Sequence, residues 1–391
     1  MTTSARDAFD YALDCERRGD PKSALAAYLE ALELDPEDME IIYRTATALL
    51  RAGFLEEAAS QLRRVVFVEP THIPARANLG NCQLLMGDMS NAEDNFNSVL
   101  EASPDNHNAL YGLATVCLKQ DKRQQALVTA ERLMTLLPEN APALTLYAQA
   151  ASDDPQASRA AAAYRKALTI DPTYIPALLG LAKLSIRRKR YDEALMFAEK
   201  ACHLSPSESE PNRVLAEAHE AAGNLQQARA GYTKALTYSG DEKASLLVSL
   251  STISRKLGEY PKALLHAFDA WQRAPGRKDA GNALGAALKN LGRSTDARAI
   301  LTSMAQGKSL DSALERRLFD LARDLLDQTV SLADEKSLAA QAENEAAAFE
   351  ITAEIALTGE VTTAEDVASA SAIPAGQLDE APLENRGEKT T

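Results

Sequence analysis

The segment "SALAAYLEALELDPED", residues 23–38, decides the fold. It consists of a small residue, an apolar run and a proline, and this pattern is repeated along the chain. The recurrence is regular, and each proline follows the previous one by 34 residues: Pro36, Pro70, Pro104, Pro138, Pro172 and Pro206. Unrelated turns do not keep a fixed interval. The chain is therefore predicted to be a stack of copies of one structural unit.

Alignment of the copies on these prolines reveals three further positions of constant character. One is alanine in nine copies: Ala24, Ala58, Ala92, Ala126, Ala160, Ala194, Ala228, Ala263 and Ala297. A second is small in each copy: Ala12, Ala46, Gly80, Ala114, Ala148, Ala182, Ala216, Ser251 and Gly285. Between them is a turn position, occupied by Gly19, Gly53, Gly87, Gly223, Gly258 and Gly292, and by Asp121, Pro155 and Lys189 in the other copies. The register slips by one residue within "SGDEKAS", residues 239–245, which indicates a loop insertion.

Each copy contains two apolar-periodic stretches of about 12–15 residues, the length of ordinary helices. Glycine between them can adopt the positive φ that ends the first helix, and the closing proline cannot continue the second. Two helices that pack closely need small side chains where their axes approach. The pattern therefore predicts a helix-turn-helix unit with the alanines at its seam.

Composition and charge exclude several classes of protein. The net charge is -14, but residues 331–391 contain 13 acidic and three basic residues, so the remainder is nearly neutral. General nucleic-acid binding needs a basic face and is not expected. Four cysteines without metal-ligand spacing predict free thiols in a reducing compartment: Cys15, Cys82, Cys117 and Cys202. The N-terminus lacks a secretory signal pattern, and no apolar run is long enough to cross a bilayer, so we expect a cytoplasmic protein without membrane insertion.

The repeat unit resembles a known family. The 34-residue period, the recurring alanine, the closing proline and the Leu-Gly or Leu-Ala pairs in "NLGNCQLLMGD" (78–88), "GLATVCLKQD" (112–121) and "NALGAALKNLGR" (282–293) are similar to the tetratricopeptide repeat. The resemblance covers residues 5–309, about nine repeats. It implies an all-α, right-handed superhelical solenoid whose first helices line a concave groove that binds peptides or partner proteins.

The chain beyond the repeats divides into three segments. A leucine stripe in residues 309–328 predicts a C-terminal capping helix over residues 310–330, although such a stripe could also form a dimer seam. Residues 331–358 are rich in Ala and Glu and are expected to be partly helical. Residues 359–391 are acidic, with few large apolar side chains, and are expected to be disordered. The sequence does not otherwise indicate oligomerisation.

Catalytic and cofactor motifs are absent from the sequence. It contains no P-loop, GxSxG or HExxH, and its five histidines are scattered. We therefore predict no enzymatic activity, no cofactor, no metal and no small-molecule substrate. The basic run "IRRKRYDEA", residues 186–194, could be a nuclear-import or nucleic-acid patch, but a solvated turn is the favoured interpretation. We expect Trp271 to be in the core. Phe67, on an otherwise polar outer column, is either a packing variation or a second, convex contact point, and packing is the favoured interpretation.

Family geometry predicts which first-helix side chains face the groove. The predicted partner-binding residues are Tyr43, Arg44, Thr47, Arg51, Asn78, Asn81, Tyr111, Lys119, Lys183 and Arg187. Acidic groups there are few, mainly Glu40 and Asp153, until Glu210, Glu217 and Glu220 form an acidic patch. The groove is thus expected to be cationic in its middle and to suit an acidic ligand. The Lys-Asn-Asn-Lys-Arg set with which some family members bind a C-terminal carboxylate is not found.

These features favour a non-enzymatic scaffold or adaptor for a protein or peptide ligand. Two alternatives remain open: a substrate-recognition or regulatory subunit of an enzyme, such as a protein glycosyltransferase with its catalytic domain on another chain, and a self-assembling structural solenoid. A further hypothesis is that the acidic tail competes for the groove, because tethering raises its effective concentration.

Overall fold

The computed structural model describes residues 4–152, 157–240, 243–305 and 312–325, and within these ranges all regular structure is helical. The helices are α1 (Ala5–Arg17), α2 (Pro21–Leu34), α3 (Met39–Ala52), α4 (Leu55–Val68), α5 (Ile73–Met86), α6 (Met89–Ala102), α7 (His107–Lys119), α8 (Arg123–Leu136), α9 (Ala141–Ala150), α10 (Ala157–Ile170), α11 (Ile175–Arg187), α12 (Tyr191–Leu204), α13 (Ser209–Ala221), α14 (Leu225–Thr237), α15 (Lys243–Lys256), α16 (Tyr260–Arg273), α17 (Lys278–Asn290), α18 (Ser294–Ala305) and α19 (312–325). The prediction of an all-α repeat solenoid is confirmed. The predictions for Asp153, Pro155 and residues 331–391 lie outside the described residues.

The first helices of the repeats form a wall that is continuous from α3 to α13. Each odd-numbered helix from α1 to α17 packs on the next even-numbered helix, which in turn packs on the first helix of the following repeat. First helices also contact each other directly, as in the pairs α3–α5, α5–α7, α7–α9, α9–α11, α11–α13 and α15–α17. Close approach on one side of a stack bends the stack towards that side. The wall of first helices is therefore its inner face.

The turn between the two helices of a repeat uses left-handed backbone. Gly53 has φ +85° and Gly87 has φ +84°, and both end their helices there. Two copies place a side-chain-bearing residue in the same conformation, Asp121 at φ 59° and Lys189 at φ 58°. The turn geometry is thus imposed by the repeat even where glycine is absent. For lysine this conformation is unfavourable because its Cβ crowds the backbone.

Replacement of Lys189 by glycine is expected to stabilise the protein. Relief of the left-handed conformation contributes about 1 kcal/mol, partly offset by the greater freedom of glycine in the unfolded chain. Urea unfolding should show a higher midpoint for Lys189→Gly. The matched variant Asp121→Gly should gain less, because aspartate adopts this conformation more readily. A lower midpoint for Lys189→Gly would contradict this account of the turn.

The core between repeats is built from small residues and a periodic aromatic. The seam alanines, for example Ala58 and Ala126, are fully buried. The second helices carry a buried aromatic ring every second repeat, 68 residues apart: Tyr28, Phe96, Tyr164 and Tyr232. Trp271 is only 7% exposed, as expected. The expectation for Phe67 is wrong: its side chain is 86% exposed, because its position on α4 faces outward whatever residue occupies it.

Helix α19 covers the apolar end of the last repeat. Leu314, Leu318 and Ala322 are buried in one cluster with side chains of α17 and α18. Phe319 adds an edge-to-face contact with Phe268 of α16, with ring centroids 6.4 Å apart. A terminal repeat has no neighbour to bury its apolar face. These contacts support our proposal that residues 310–330 act as a cap.

Candidate protein-binding groove

The ten predicted binding residues all lie on the wall of first helices. Helix α3 carries Tyr43, Arg44, Thr47 and Arg51; α5 carries Asn78 and Asn81; α7 carries Tyr111 and Lys119; α11 carries Lys183 and Arg187. The side chains of Arg44, Arg51, Tyr111, Lys119 and Arg187 are exposed, and those of the other five are partly buried. The structure thus brings the predicted set onto the wall of first helices, but it spreads the set over four repeats and does not gather it into one site.

Neutral hydrogen bonds link the first helices in the N-terminal part of the groove. Asn78 Nδ2 donates to Thr47 Oγ1 at 3.4 Å, and Asn81 Nδ2 donates to Asn108 Oδ1 at 3.1 Å. The Tyr43 ring lies against His72, with centroids 4.7 Å apart. These amides and hydroxyls form a polar strip across α3, α5 and α7. Such groups can exchange their bonds for bonds to the backbone of an extended peptide.

Apolar area borders this strip. Leu85, at the end of α5, is 63% exposed, and Tyr111 on α7 is 42% exposed. Exposed apolar side chains next to amides are typical of peptide-binding surfaces, where aromatic rings supply contact area at low entropy cost. Leu85 was not among the predicted residues, although it occupies the same repeat position as Arg51 and Lys119. That shared repeat position could have predicted that Leu85 lies on the wall.

Two of the predicted cations are bound to carboxylates of neighbouring repeats. Arg51 Nη1 is 3.0 Å from Glu16 Oε1, and Lys183 Nζ is 2.6 Å from Glu210 Oε1. The middle of the groove is therefore less cationic than predicted. Glu16 was overlooked because it belongs to the first copy, outside the repeats from which the groove residues were taken.

A cavity of about 670 Å³ opens on the wall between α9, α11 and α13. Tyr164 of α10 lines it from the core side, and Ser152, which follows α9, lines its edge. The lining also includes Pro176, Leu179, Lys183, Arg187, Glu210 and Glu217. Lys183 and Arg187 were predicted here from the sequence, whereas Ser152 and Tyr164 were not.

A charge network forms the α13 side of this cavity. Arg213 donates to both carboxylate oxygens of Glu210 at 2.7 Å and also to Glu217. Burial raises the pKa of Glu210, but the hydrogen bonds and charges of Lys183 and Arg213 outweigh it, so its pKa lies below the ordinary value. Burial raises the pKa of Glu217, and Arg213 does not fully offset it. The two carboxylates therefore differ in how readily they take up a proton.

Comparison with known proteins identifies the repeat. A family model described as "Tetratricopeptide repeat" matches residues 83–150 and 151–195, and another of the same description matches residues 9–71 and 43–107. The chain is a tetratricopeptide repeat protein. It is similar to the human "Anaphase-promoting complex subunit 7", with 28% identity over 223 residues that make up 56% of this chain and 34% of that protein. It is also similar to "DnaJ homolog subfamily C member 3" of Rattus norvegicus, with 28% identity over 118 residues, 30% of this chain and 21% of that protein.

These relatives are matched over only part of their length. The chain spans about a third of the first and a fifth of the second. Among solved structures, the "APC/C hetero-tetramer Cut9-Hcn1" superposes with a TM-score of 0.57 and 15% identity, covering 73% of this chain and 56% of that chain. That likeness shows the shared fold alone.

Three further features of this tetratricopeptide repeat chain bear on metal ions, membranes and thiol chemistry. Among the residues that the structure describes, no group of three His, Cys, Asp or Glu could hold a metal ion. Over the same residues, no helix combines the length and apolarity that a membrane span requires. Cys15, Cys82 and Cys117 are buried free thiols, and burial raises the pKa of Cys82 and Cys117 to about 11. Buried thiols with so high a pKa are poor nucleophiles.

The raised pKa of Glu217 predicts a pH-dependent difference in stability. The folded tetratricopeptide array holds a proton on Glu217 more tightly than the unfolded chain does. This favours folding at pH values below the ordinary glutamate pKa and is lost as the pH rises through the raised value. Glutamine cannot titrate, so Glu217→Gln removes this pH dependence of stability. The melting temperature of the variant minus that of wild type should therefore increase as the pH rises above the ordinary glutamate pKa.

The control for this measurement is Glu210→Gln at the same cavity. Glu210 has a lowered pKa, so its carboxylate contributes stability above the ordinary glutamate range and loses it as the pH falls. On going to neutral pH, the melting temperature relative to wild type should therefore rise for Glu217→Gln and fall for Glu210→Gln. Parallel pH profiles would contradict the assigned network.

Proposed function

We propose that the protein is a non-enzymatic interaction scaffold that binds a protein or peptide segment along its inner wall. The observation that carries the proposal is the continuity of that wall: first helices of successive repeats contact each other and present polar, aromatic and charged side chains on one surface. A continuous inner surface suits an extended ligand, which can bond to several repeats in succession.

The polar strip of α3, α5 and α7 is the proposed recognition surface for the ligand backbone. The amides of Asn78 and Asn81 have both donors and acceptors for an extended chain. Leu85 and Tyr111 provide apolar contact beside them. Arg44 and Lys119 are exposed near the strip and can bond carboxylates, so we propose that the ligand is acidic.

The relatives support a role in assembly. One of them is named as a subunit of the anaphase-promoting complex, and the aligned segment covers 56% of this chain. We propose that this protein likewise joins other proteins, through its own groove residues and with partners of its own. The packing of α19 on the last repeat favours a capped adaptor over a solenoid that grows by end-to-end stacking.

The test compares wild type with a variant in which Arg44, Asn78, Asn81 and Lys119 are all alanine. Proteins captured by each are quantified by mass spectrometry. We expect specific partners to fall about tenfold or more in the variant, because each charged hydrogen bond lost weakens binding by about 1.5–3 kcal/mol. The matched control replaces Arg63 and Phe67, exposed on α4, and should retain the partners. Equal capture by all three proteins would refute the proposal.

We further propose that the acidic tail, residues 359–391, competes with the ligand for Arg44 and Lys119. Opposite charge on a tethered segment gives a high effective concentration near the wall. Deletion of residues 359–391 should raise partner affinity at low salt, and high salt should abolish the difference because exposed charges are then screened. Unchanged affinity at low salt would leave the tail as a solubilising segment.

A further inference from the structure

A second cavity, of about 470 Å³, lies between the α1–α2 turn and the α3–α4 turn and is here called the N-terminal cavity. Helices α1 and α3 do not make the close contact that joins the first helices from α3 to α13, so the first two repeats leave space between them. A volume of this size is ordinary for a site that binds a ligand group. The lining residues are Glu16, Gly19, Pro21, Lys22, Ala24, Leu25, Ala48, Arg51, Ala52 and Phe54.

Phe54 is the unusual residue of this lining. It precedes the second helix of its repeat, a position that is polar in the other eight copies: Asp20, Asp88, Lys122, Gln156, Arg190, Asn224, Glu259 and Arg293. Aspartate there caps the helix, since Asp20 accepts from Ser23 N at 3.1 Å and Asp88 accepts from Asn91 N at 3.4 Å. Phe54 makes no such bond, and its side chain is 49% exposed. An aromatic ring that neither caps its helix nor enters the core is available to a ligand.

Small side chains on α3 keep the N-terminal cavity open. Ala48 and Ala52 have the repeat positions at which the next repeat has Cys82 and Met86. Each of those residues is larger than alanine. The space beside Phe54 is therefore a property of the first two repeats and not of the repeat pattern in general.

The charged residues of the lining favour a ligand with a negative charge. Glu16 already accepts from the Tyr28 hydroxyl and from Arg51, both at 3.0 Å. Among the described residues, the Lys22 ammonium makes no hydrogen bond or ion pair, and its charge acts on Asp20, whose carboxylate caps α2. The lining thus contains two cations and one carboxylate. A carboxylate close to an apolar group complements this lining better than an ammonium does.

We propose that the N-terminal cavity receives a large apolar side chain of the bound protein segment, from a residue that has Asp or Glu as its neighbour. The Phe54 ring covers this side chain, and Lys22 attracts the adjacent carboxylate. Helix α3 contributes to both the cavity and the polar strip, so one extended segment can occupy both. The inference rests on the proposed function, and it goes further by naming the anchor side chain and the cavity that recognises it.

The first test selects ligands from a library. Phage that display random 12-residue peptides are selected on the immobilised full chain, and the recovered sequences are counted. We expect a large apolar residue next to Asp or Glu to be enriched about tenfold over the starting library, because burial of that side chain favours binding. Recovery without an enriched apolar residue, or with one enriched beside Lys or Arg, would overturn the inference.

The second test measures the affinity of the most enriched peptide, labelled with fluorescein, by anisotropy. Ala52→Met narrows the N-terminal cavity, and Phe54→Asp replaces the ring by the capping residue of both neighbouring repeats. Each should weaken binding about tenfold or more, because the anchor side chain is no longer buried. Phe54→Asp should melt no lower than Phe54→Ala, since aspartate caps α4, which separates lost binding from lost folding.

The matched controls are Ala222→Met and Asn224→Asp. They place the same side chains at the same two repeat positions of the seventh repeat, five periods away from the N-terminal cavity. Both should bind the peptide as tightly as wild type does. Equal affinity of wild type, Ala52→Met and Phe54→Asp would overturn the inference, and so would an equal loss in the two control variants.

The outcomes separate this inference from the proposed function. If the selected peptide is lost with the Arg44/Asn78/Asn81/Lys119 alanine variant but kept with Ala52→Met and Phe54→Asp, the inner wall binds its ligand and the inference alone is wrong. If the peptide is lost with Ala52→Met and Phe54→Asp but kept with the alanine variant, the N-terminal cavity binds it and the proposed role of the polar strip is wrong.

Discussion

Replacement of Phe96 by alanine is expected to lower the free energy of unfolding by about 3–5 kcal/mol, the largest effect of any truncation considered. The Phe96 ring is fully buried and lies between two first helices. A Cβ placed on Gly80 would come within 2.8 Å of the ring, and one on Gly112 within 2.2 Å. The ring therefore contacts backbone on both sides. Helices packed this tightly cannot easily collapse into the space that alanine leaves.

The measurement has to be local, because long repeat arrays do not always unfold as one unit. Native-state hydrogen exchange of the peptides from α5 to α8 reports the stability of the affected repeats, and urea unfolding reports the whole chain. Phe67→Ala is the control. That ring is 86% exposed, so its loss should change stability by less than about 0.5 kcal/mol. Similar effects of the two substitutions would contradict the assigned packing.

Substitution of alanine for glycine is expected to have opposite signs at two buried helical positions. Alanine normally stabilises a helix interior by about 0.5–1 kcal/mol relative to glycine. At Gly285 the added Cβ meets Leu301 at 3.4 Å, an ordinary contact, so Gly285→Ala should be stabilising. At Gly112 the added Cβ meets the Phe96 ring at 2.2 Å, so Gly112→Ala should cost about 1–3 kcal/mol through overpacking.

A double variant tests the cause of that cost. If the ring of Phe96 is the obstacle, Gly112→Ala should lose its penalty in the Phe96→Ala background. The coupling between the two substitutions should be about 1–3 kcal/mol, as is typical for residues in contact. Additive effects of the two changes, or stabilisation by Gly112→Ala alone, would show that the ring and the glycine are not packed together as described.

The repeat pattern predicted the helices because its signals act locally. The 34-residue proline period, the seam alanines and the turn glycines each restrict a few neighbouring residues, and nine copies repeat the restriction. The same logic explains Asp121 and Lys189, which adopt the glycine conformation because the surrounding helices require it. It also explains the error at Phe67. The outward direction of that position is set by the helix, and the apolar character of the residue cannot change it.

The candidate site was predicted as a surface but not as a chemical arrangement. Family geometry placed Tyr43, Asn78 and Lys119 on the inner wall, where the structure has them. Other side chains of the wall find their partners in an adjacent repeat: Asn81 bonds Asn108, 27 residues away, and Lys256 bonds Glu220, 36 residues away. The repeat position of a polar side chain does not by itself show which polar side chain of the adjacent repeat it will contact.

The sequence by itself determined a stack of helical hairpins and the small residues at their seams. These follow from periodicity and backbone preference, which are properties of short segments. The side of each hairpin that faces inward was expected only from the resemblance to the tetratricopeptide repeat. Only the tertiary structure decided that Lys183 binds Glu210 and that Tyr164 and Ser152 line the same cavity. Such contacts depend on the distance between neighbouring repeats to within an ångström or so. That distance is set by the packing of many side chains together.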